Sequence, residues 1–434
     1  MSGKDAAARY APALPEDIIA DILSRVPPDV AFLFRCALVC KRWRRVLADP
    51  VFLRRLLPEA GRSSSLLGFL VQRHRPSVSA WRTVANIFKS HVPAFVPAPG
   101  SALGPRRRSL TSFVRDGAGL LDNAEPLMAR DDLILLRVSP SQAAAVGKLF
   151  SLCVCSLLTG KLDVLPPLDA ACFDDEGVRG YAILRSVNQG DVPHRPAHGY
   201  SNLCQVLLIG VHRSNRQLHI HSFSTDAAAL QSWGVTPANC LPGDPVLFSG
   251  PYGRAATVCH DTAHWLFGEH GSTGPTIYTI DVSVNSGSVC ASKIIIVRPS
   301  PISFVDWPDA RLSLTTDERL SILYEQMTHL IIRTRQDVDQ SGTAPWTCTQ
   351  GILVDVKELW SLRRLRLARV CVGEKSGIVL VLSGSGPNHT YLLDLQSKTT
   401  TKVAGWNGSF NYKTAVPYEI NWPELFMSHL GVQL

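Results

Sequence analysis

The chain has 434 residues, 45% of them hydrophobic and 18% charged, a globular composition with enough apolar material for a sizeable core and a length that suits one small domain plus one large one. The net charge of +8 is uneven: residues 1–108 hold 18 Lys+Arg against 7 Asp+Glu, and the remainder 26 against 29. A basic N-terminal part fits an acidic partner, which nucleic acid, a membrane surface or an acidic protein would each satisfy, and charge alone does not choose among them.

Residues 1–11 are expected to be disordered, and residues 12–57 to form a helical module. Glu16, Asp17 and Asp21 lie near the start of the first helix, where the helix dipole favours them. Ile18, Ile19, Ile22, Leu23 and Val26 fall on one stripe, and Pro27-Pro28 ends the helix because proline lacks an N–H and restricts the residue before it. Asp29 caps a second segment. There Phe32, Leu33, Cys36, Val39, Cys40, Trp43, Val46 and Leu47 repeat at spacings of three and four, with Arg35, Lys41, Arg42, Arg44 and Arg45 mostly on the other face. Asp49-Pro50 interrupts the pattern before a last short turn, Val51–Leu57. So small a module does not bury all this apolar surface alone and is expected to finish its core on a partner.

The motifs Leu14-Pro15, Ile22-Leu23-Ser24-Arg25-Val26-Pro27, Arg35-Cys36, Val39-Cys40-Lys41-Arg42-Trp43 and Asp49-Pro50 with Phe52 run through the module with ordinary spacing. In them the segment resembles the F-box family, plant F-box proteins in particular, with Val26 where leucine is commoner. The resemblance implies binding to the small S-phase kinase-associated adaptor and, through it, to cullin and RING subunits. It carries adaptor contact to Leu14, Pro15, Ile19, Ile22, Leu23, Pro27, Leu33, Val39, Cys40 and Trp43; packing within the module is the other reading of each. The basic run 41–45 lacks interleaved aromatics apart from Trp43, which the helical period turns inward. Nucleic-acid binding is therefore not expected, and steering towards an acidic protein adaptor is the simpler use of the charge.

Residues 58–65 read as a linker, Leu66–Val71 as a strand, Ala80–Lys89 as a short helix and 91–108 as an exposed Pro-rich, then basic, loop. From about Leu110 short β-prone runs alternate with turn residues. An extended run, a polar turn and a second run recur at 149–168, 217–235, 276–289, 320–334, 351–365 and 390–406. Inner hairpins are expected at 256–268, 311–323 and 369–382, the last turning at Glu374–Gly377. Repeats of this kind predict an irregular β-propeller of about six blades over 66–431, each blade needing its neighbours to bury its faces. VCSLLTGKLDVLPPL resembles a blade of plant F-box-associated propellers, with Ser156 where asparagine is usual. HIHSFSTDAAALQSW, AHWLF and YLLDLQSKTTTKV resemble later blades, and AVPYEINWPELFMSHLG resembles the tail of grass-type F-box proteins. The fold class expected is thus α+β multidomain, a small helical F-box before a mostly-β domain.

No phosphate-binding loop, dinucleotide fingerprint, nucleophile elbow or HExxH motif occurs. His260-Asp261-Thr262-Ala263-His264 has Asp where that last motif needs Glu and sits in a hairpin, so an exposed turn is expected there even with Cys259 and His270 near. His219 and His221 share a strand face and read as partly exposed side chains, Cys153 and Cys155 as buried thiols, and Asp174-Asp175-Glu176 as a solvated acidic loop. No cofactor, metal or catalytic set is expected. The 11 cysteines are odd in number and without a CxxC pair, which suits free thiols in a reducing compartment, and the expected location is cytoplasmic, nuclear or both. Residues 1–17 contain no apolar signal core, and no run of about 18 apolar residues occurs, so neither a signal peptide nor a membrane span is expected. The expected role is a ubiquitin-ligase substrate receptor that captures an unknown protein target through propeller loops. The alternatives are an interaction module with a relic F-box and a propeller-type sugar-binding or enzymatic protein.

Overall fold

In the computed structural model the described residues are 14–25, 33, 36, 39–56, 66–73, 92–101, 103–122, 124–138, 149–185, 196–215, 217–227, 229–238, 254–271, 274–283, 289–294, 310–315, 317–326, 329–336, 346–353, 371–382, 390–403 and 410–421. The short helix expected at 80–89 lies outside them. Two compact units divide the chain, one built on residues 1–61 with 421–434 and one on residues 62–420.

In the first unit α1 (Glu16–Ser24) follows Pro15, whose fixed φ of −57° suits the position before a first turn that carries Glu16 and Asp17. Leu33 and Cys36 are helical, and α2 (Lys41–Ala48) and α3 (Pro50–Leu56) complete the unit. Asp49 separates α2 from α3: its carboxylate accepts the N–H groups of Val51 (2.7 Å) and Phe52 (3.3 Å), satisfying donors that the start of a helix leaves without partners. Ile19, Leu23, Leu33, Cys36, Val46, Leu47 and Phe52 are the buried apolar side chains.

The second unit is a six-bladed propeller. Its sheets, among the described residues, pair antiparallel throughout in simple meanders: β4 (Glu125–Arg130) to β7 (Leu162–Val164), with β8 (Leu168–Asp169) beside β6 (Leu149–Ser156); β9 (Phe173–Arg185) to β12 (Gly234–Ala238); β13 (Thr257–Cys259) to β16 (Val289–Ile294); β17 (Arg311–Leu314) to β20 (Trp346–Leu353); and β21 (Cys371–Val372) to β24 (Thr400–Lys402). The remaining blade is composite. The C-terminal strand β25 (Phe410–Glu419) pairs with β1 (Leu66–Arg73), which continues to β2 (Ala94–Pro97) and β3 (Arg108–Ser109). Register partners such as Leu66↔Glu419 and Leu70↔Val416 join the two ends of the propeller, so closure covers edges that would otherwise be open to pairing. Taken from this closure, the blades are numbered 1 (β25, β1–β3) to 6 (β21–β24).

The middle strands of the blades are buried on both faces and read as near-continuous apolar runs, whereas edge strands such as β3 and β24 are exposed. In β22 (Ile378–Leu382), Ile378 and Leu380 enter a core shared with blade 1, while Val379 and Val381 enter one shared with blade 5. The hairpins expected at 256–268, 311–323 and 369–382 are β13–β14, β17–β18 and β21–β22, the last with its turn at 373–377. Three expectations are corrected. Within 91–108, Ala94–Val96 is a buried strand between β1 and β3, because the flanking prolines lie at or beyond its ends; Arg106–Arg108 is exposed. Asp174–Glu176 lies in strand β9 and not in a loop, and Asp174 is paired with Arg179 at 2.7 Å. His221 is buried, at 3% exposure, because Phe173 packs against its ring with centroids 4.9 Å apart. Among the described residues no helix is long and apolar enough to cross a membrane.

Candidate functional site

Five of the nine exposed large apolar side chains among the described residues belong to the small first unit. Ile18 (43% exposed) and Ile22 (37%) stand one turn apart on α1, and Leu14 (48%) is exposed just ahead of it, before the extended Pro15. Val39 and Val51 are exposed as well. Of the ten sequence-predicted contact residues, Leu14, Pro15, Ile22, Val39 and Cys40 are on the surface, Trp43 is half-buried, and Pro27 lies outside the described residues. Ile19, Leu23 and Leu33 face into the unit's own core, so any part they play in an interface is to hold the exposed residues in place. Arg42 Nη1 donates to the Leu14 carbonyl (3.1 Å) and Arg45 pairs with Glu16 (3.1 Å), which ties the start of α1 to α2. Ile18 and Val51 were not among the predicted residues, although Ile18 is exposed one turn before Ile22 on α1.

In the second unit the innermost strands β4, β9, β13, β17, β21 and β25 surround a central cavity of about 350 Å³. Its wall is sealed between blades 3 and 4 by a parallel bridge: Tyr181 N donates to Arg254 O (2.7 Å) and Ala256 N to Tyr181 O (2.8 Å). Tight turns between the first two strands of several blades carry a polar hub. The blade 2 turn holds Asp131 and Asp132 at φ of 50° and 72°, and the blade 4 turn holds His260 and Asp261 at 41° and 43°, the left-handed values that two-residue hairpin turns need. Arg130 of blade 2 pairs with Glu374 of blade 6 and donates to the carbonyl of Val258 in blade 4 (3.2 Å), whose own N–H donates to Glu374 (3.0 Å). Lys375 reaches Asp131 at 2.5 Å. Glu419 of blade 1 accepts the N–H groups of Lys375 (2.7 Å) and Ser376 (3.1 Å) and the Ser376 hydroxyl.

The hub separates the titration of its acids. Burial works to raise the Asp131 carboxyl, but Lys375 and Arg130 outweigh it and hold Asp131 below the ordinary carboxylate range. Burial pushes Asp132 up to about 6 despite Arg185 at 3.1 Å and the Ser156 hydroxyl at 2.8 Å. Glu419 is also raised by burial, against its hydrogen bonds. Elsewhere His264 turns to Asp281 (2.8 Å), which also pairs with Arg335 (2.7 Å), while Cys259 Sγ lies 3.0 Å from His260 Nδ1. The two histidines of the 260–264 segment thus have separate partners, and no cluster of three or more metal-ligating side chains occurs among the described residues.

A family model described as F-box-like matches residues 11–58, and one described as a domain of unknown function, DUF7595, matches residues 84–381. No curated protein matches the chain. Solved structures similar to it include a protein from Lactobacillus plantarum (10% identity, TM-score 0.35, covering 80% of this chain and 98% of that one). The β-propeller domain of the Trilobed protease from Pyrococcus furiosus has 10% identity and a TM-score of 0.35 over 79% and 82% of the two chains. The GH74 xyloglucanase from Xanthomonas campestris has 11% identity and a TM-score of 0.36 over 82% and 55%.

Proposed function

We propose that this chain, which belongs to the DUF7595 family and carries an F-box-like domain ahead of that region, is a substrate-receptor subunit of an SCF-type cullin–RING ubiquitin ligase. In this reading residues 12–57 dock on the S-phase kinase-associated adaptor, 58–65 link, and the β domain over 66–431 captures a protein target. The observation that carries it is the exposure of Leu14, ahead of α1, together with Ile18 and Ile22 on it. Covering the exposed part of one such side chain is worth roughly 0.5–1.5 kcal/mol, so a partner that covers several gains a useful share of a micromolar affinity. The basic charge of the N-terminal part steers an acidic adaptor onto this face. The contact residues are Leu14, Pro15, Ile22, Val39 and Cys40, supported from within by Ile19, Leu23, Leu33 and Trp43, and Pro27 belongs to the same set by the F-box resemblance.

The chain's contribution to ubiquitin transfer is proximity: a target lysine held near a charged carrier reacts at raised effective concentration, and no residue here performs bond chemistry. The resemblance to grass-type plant F-box proteins belongs to the same reading, as does a location in cytosol, nucleus or both. Co-purification tests it. The intact chain is expected to bring down adaptor and cullin, and the Leu14→Ala/Pro15→Ala pair to lose both. If neither form recovers the adaptor, the chain is an interaction module outside the ligase.

A further inference from the structure

We propose that the central cavity of the propeller binds a small organic anion whose charged head is held by Arg254. The charges around the cavity are unevenly matched. Of the carboxylates lining it, Glu125 pairs with Arg137, Glu374 with Arg130, and Glu419 is held by backbone and hydroxyl donors of Lys375 and Ser376. Arg254 differs. Its guanidinium hydrogen-bonds the phenol of Tyr181, a neutral partner, no carboxylate among the described residues pairs with it, and its buried Nε has no acceptor.

A guanidinium whose buried Nε has an idle donor carries a cost that an entering oxyanion removes, and its planar fork suits carboxylate and phosphate oxygens. Arg311, on the innermost strand of the next blade, adds positive charge to the same wall; its Nη1 donates to the Ala310 carbonyl (2.8 Å). Leu312, Val372, Val416 and Pro417 make other stretches of the wall apolar. A volume of about 350 Å³ falls in the range of small-ligand sites, and at ~30 Å³ per water-sized unit it takes about a dozen non-hydrogen atoms. The ligand class that fits is a compact carboxylate on an apolar, ring-sized body. This site is separate from the adaptor-binding face and does not depend on it.

The test uses the full chain and benzoate as probe, with benzyl alcohol and inorganic phosphate for comparison, at constant ionic strength. Millimolar benzoate is expected to raise the melting temperature, benzyl alcohol and phosphate to leave it unchanged, and Arg254→Met to abolish the rise while Arg254→Lys keeps part of it. Ala255→Trp, which adds a large ring to the cavity lining while keeping the arginine, is expected to abolish it too, and stands in should Arg254→Met fail to fold. No rise with benzoate, an equal rise with phosphate, or a rise that survives in Arg254→Met or Ala255→Trp overturns the proposal.

Discussion

A Cβ at Gly180 would sit 2.5 Å from Nε1 of Trp265 and 2.6 Å from the Ile209 side chain, so this contact between blades 3 and 4 has no room for even a methyl group. Gly180→Ala is expected to cost about 1–3 kcal/mol in urea denaturation, the range typical of overpacking a filled core. His221 carries a second residue-scale consequence. Burial pulls its imidazole down to about 4, with His219 and His212 adding to the effect. A depressed histidine binds fewer protons folded than unfolded. Its contribution to stability is therefore intact above the unfolded value near 6.5 and drains as pH falls towards 4. His221→Phe is expected to reduce the stability lost between about pH 7.5 and about pH 5 by about 2 kcal/mol. Asp132 has the opposite sign: raised to about 6, it favours the folded state fully below its unfolded value near 3.8 and loses that contribution as pH rises through 6. Asp132→Asn is expected to flatten that decline, and denaturation curves of both variants across this range separate the two effects.

At the scale of elements, α1 sorts its apolar residues by face. Leu23 is fully buried and Ile22, its neighbour, is 37% exposed. Leu23→Ala is expected to lower the stability of the first unit by about 2–5 kcal/mol. Ile22→Asp is expected to leave stability within about 0.5 kcal/mol, as surface changes do. The apolar stripe of this helix was legible from its period, but which part of so wide a stripe faces inward was not, because that depends on where α2 packs. The propeller hub makes a further prediction. Arg130 and Glu374 are each about 15% exposed, so Arg130→Met strands a largely buried carboxylate and is expected to cost about 3 kcal/mol. Adding Glu374→Leu is expected to restore much of that, which a double-mutant cycle measures. The hairpin around Glu374 was visible in its Glu-Lys-Ser-Gly turn; that its glutamate reaches blades 2 and 4 was not, since such pairing depends on ring geometry with no local pattern. Arg254 was missed for the same reason: it lies beside a short strand and gains meaning only when six inner strands converge.

For the whole molecule, about six blades could be read from recurring strand–turn–strand units because each blade is a local meander. The composite first blade could not, because β25 and β1 come from opposite ends of the propeller and their register leaves no short-range signature. Truncation before Phe410 is expected to bare the β1 edge and to remove Tyr418 and Glu419 from the core, giving rapid limited proteolysis or aggregation where the full chain resists both. The proposed role requires that another polypeptide cover the exposed apolar residues on and just ahead of α1. Equilibrium titration of the intact chain with purified S-phase kinase-associated adaptor measures this directly. We expect a dissociation constant of about 1 μM or tighter, weakened roughly a hundredfold in Leu14→Asp/Ile22→Asp with the fold unchanged. Equal binding by wild type and variant, or no binding by either, would contradict it.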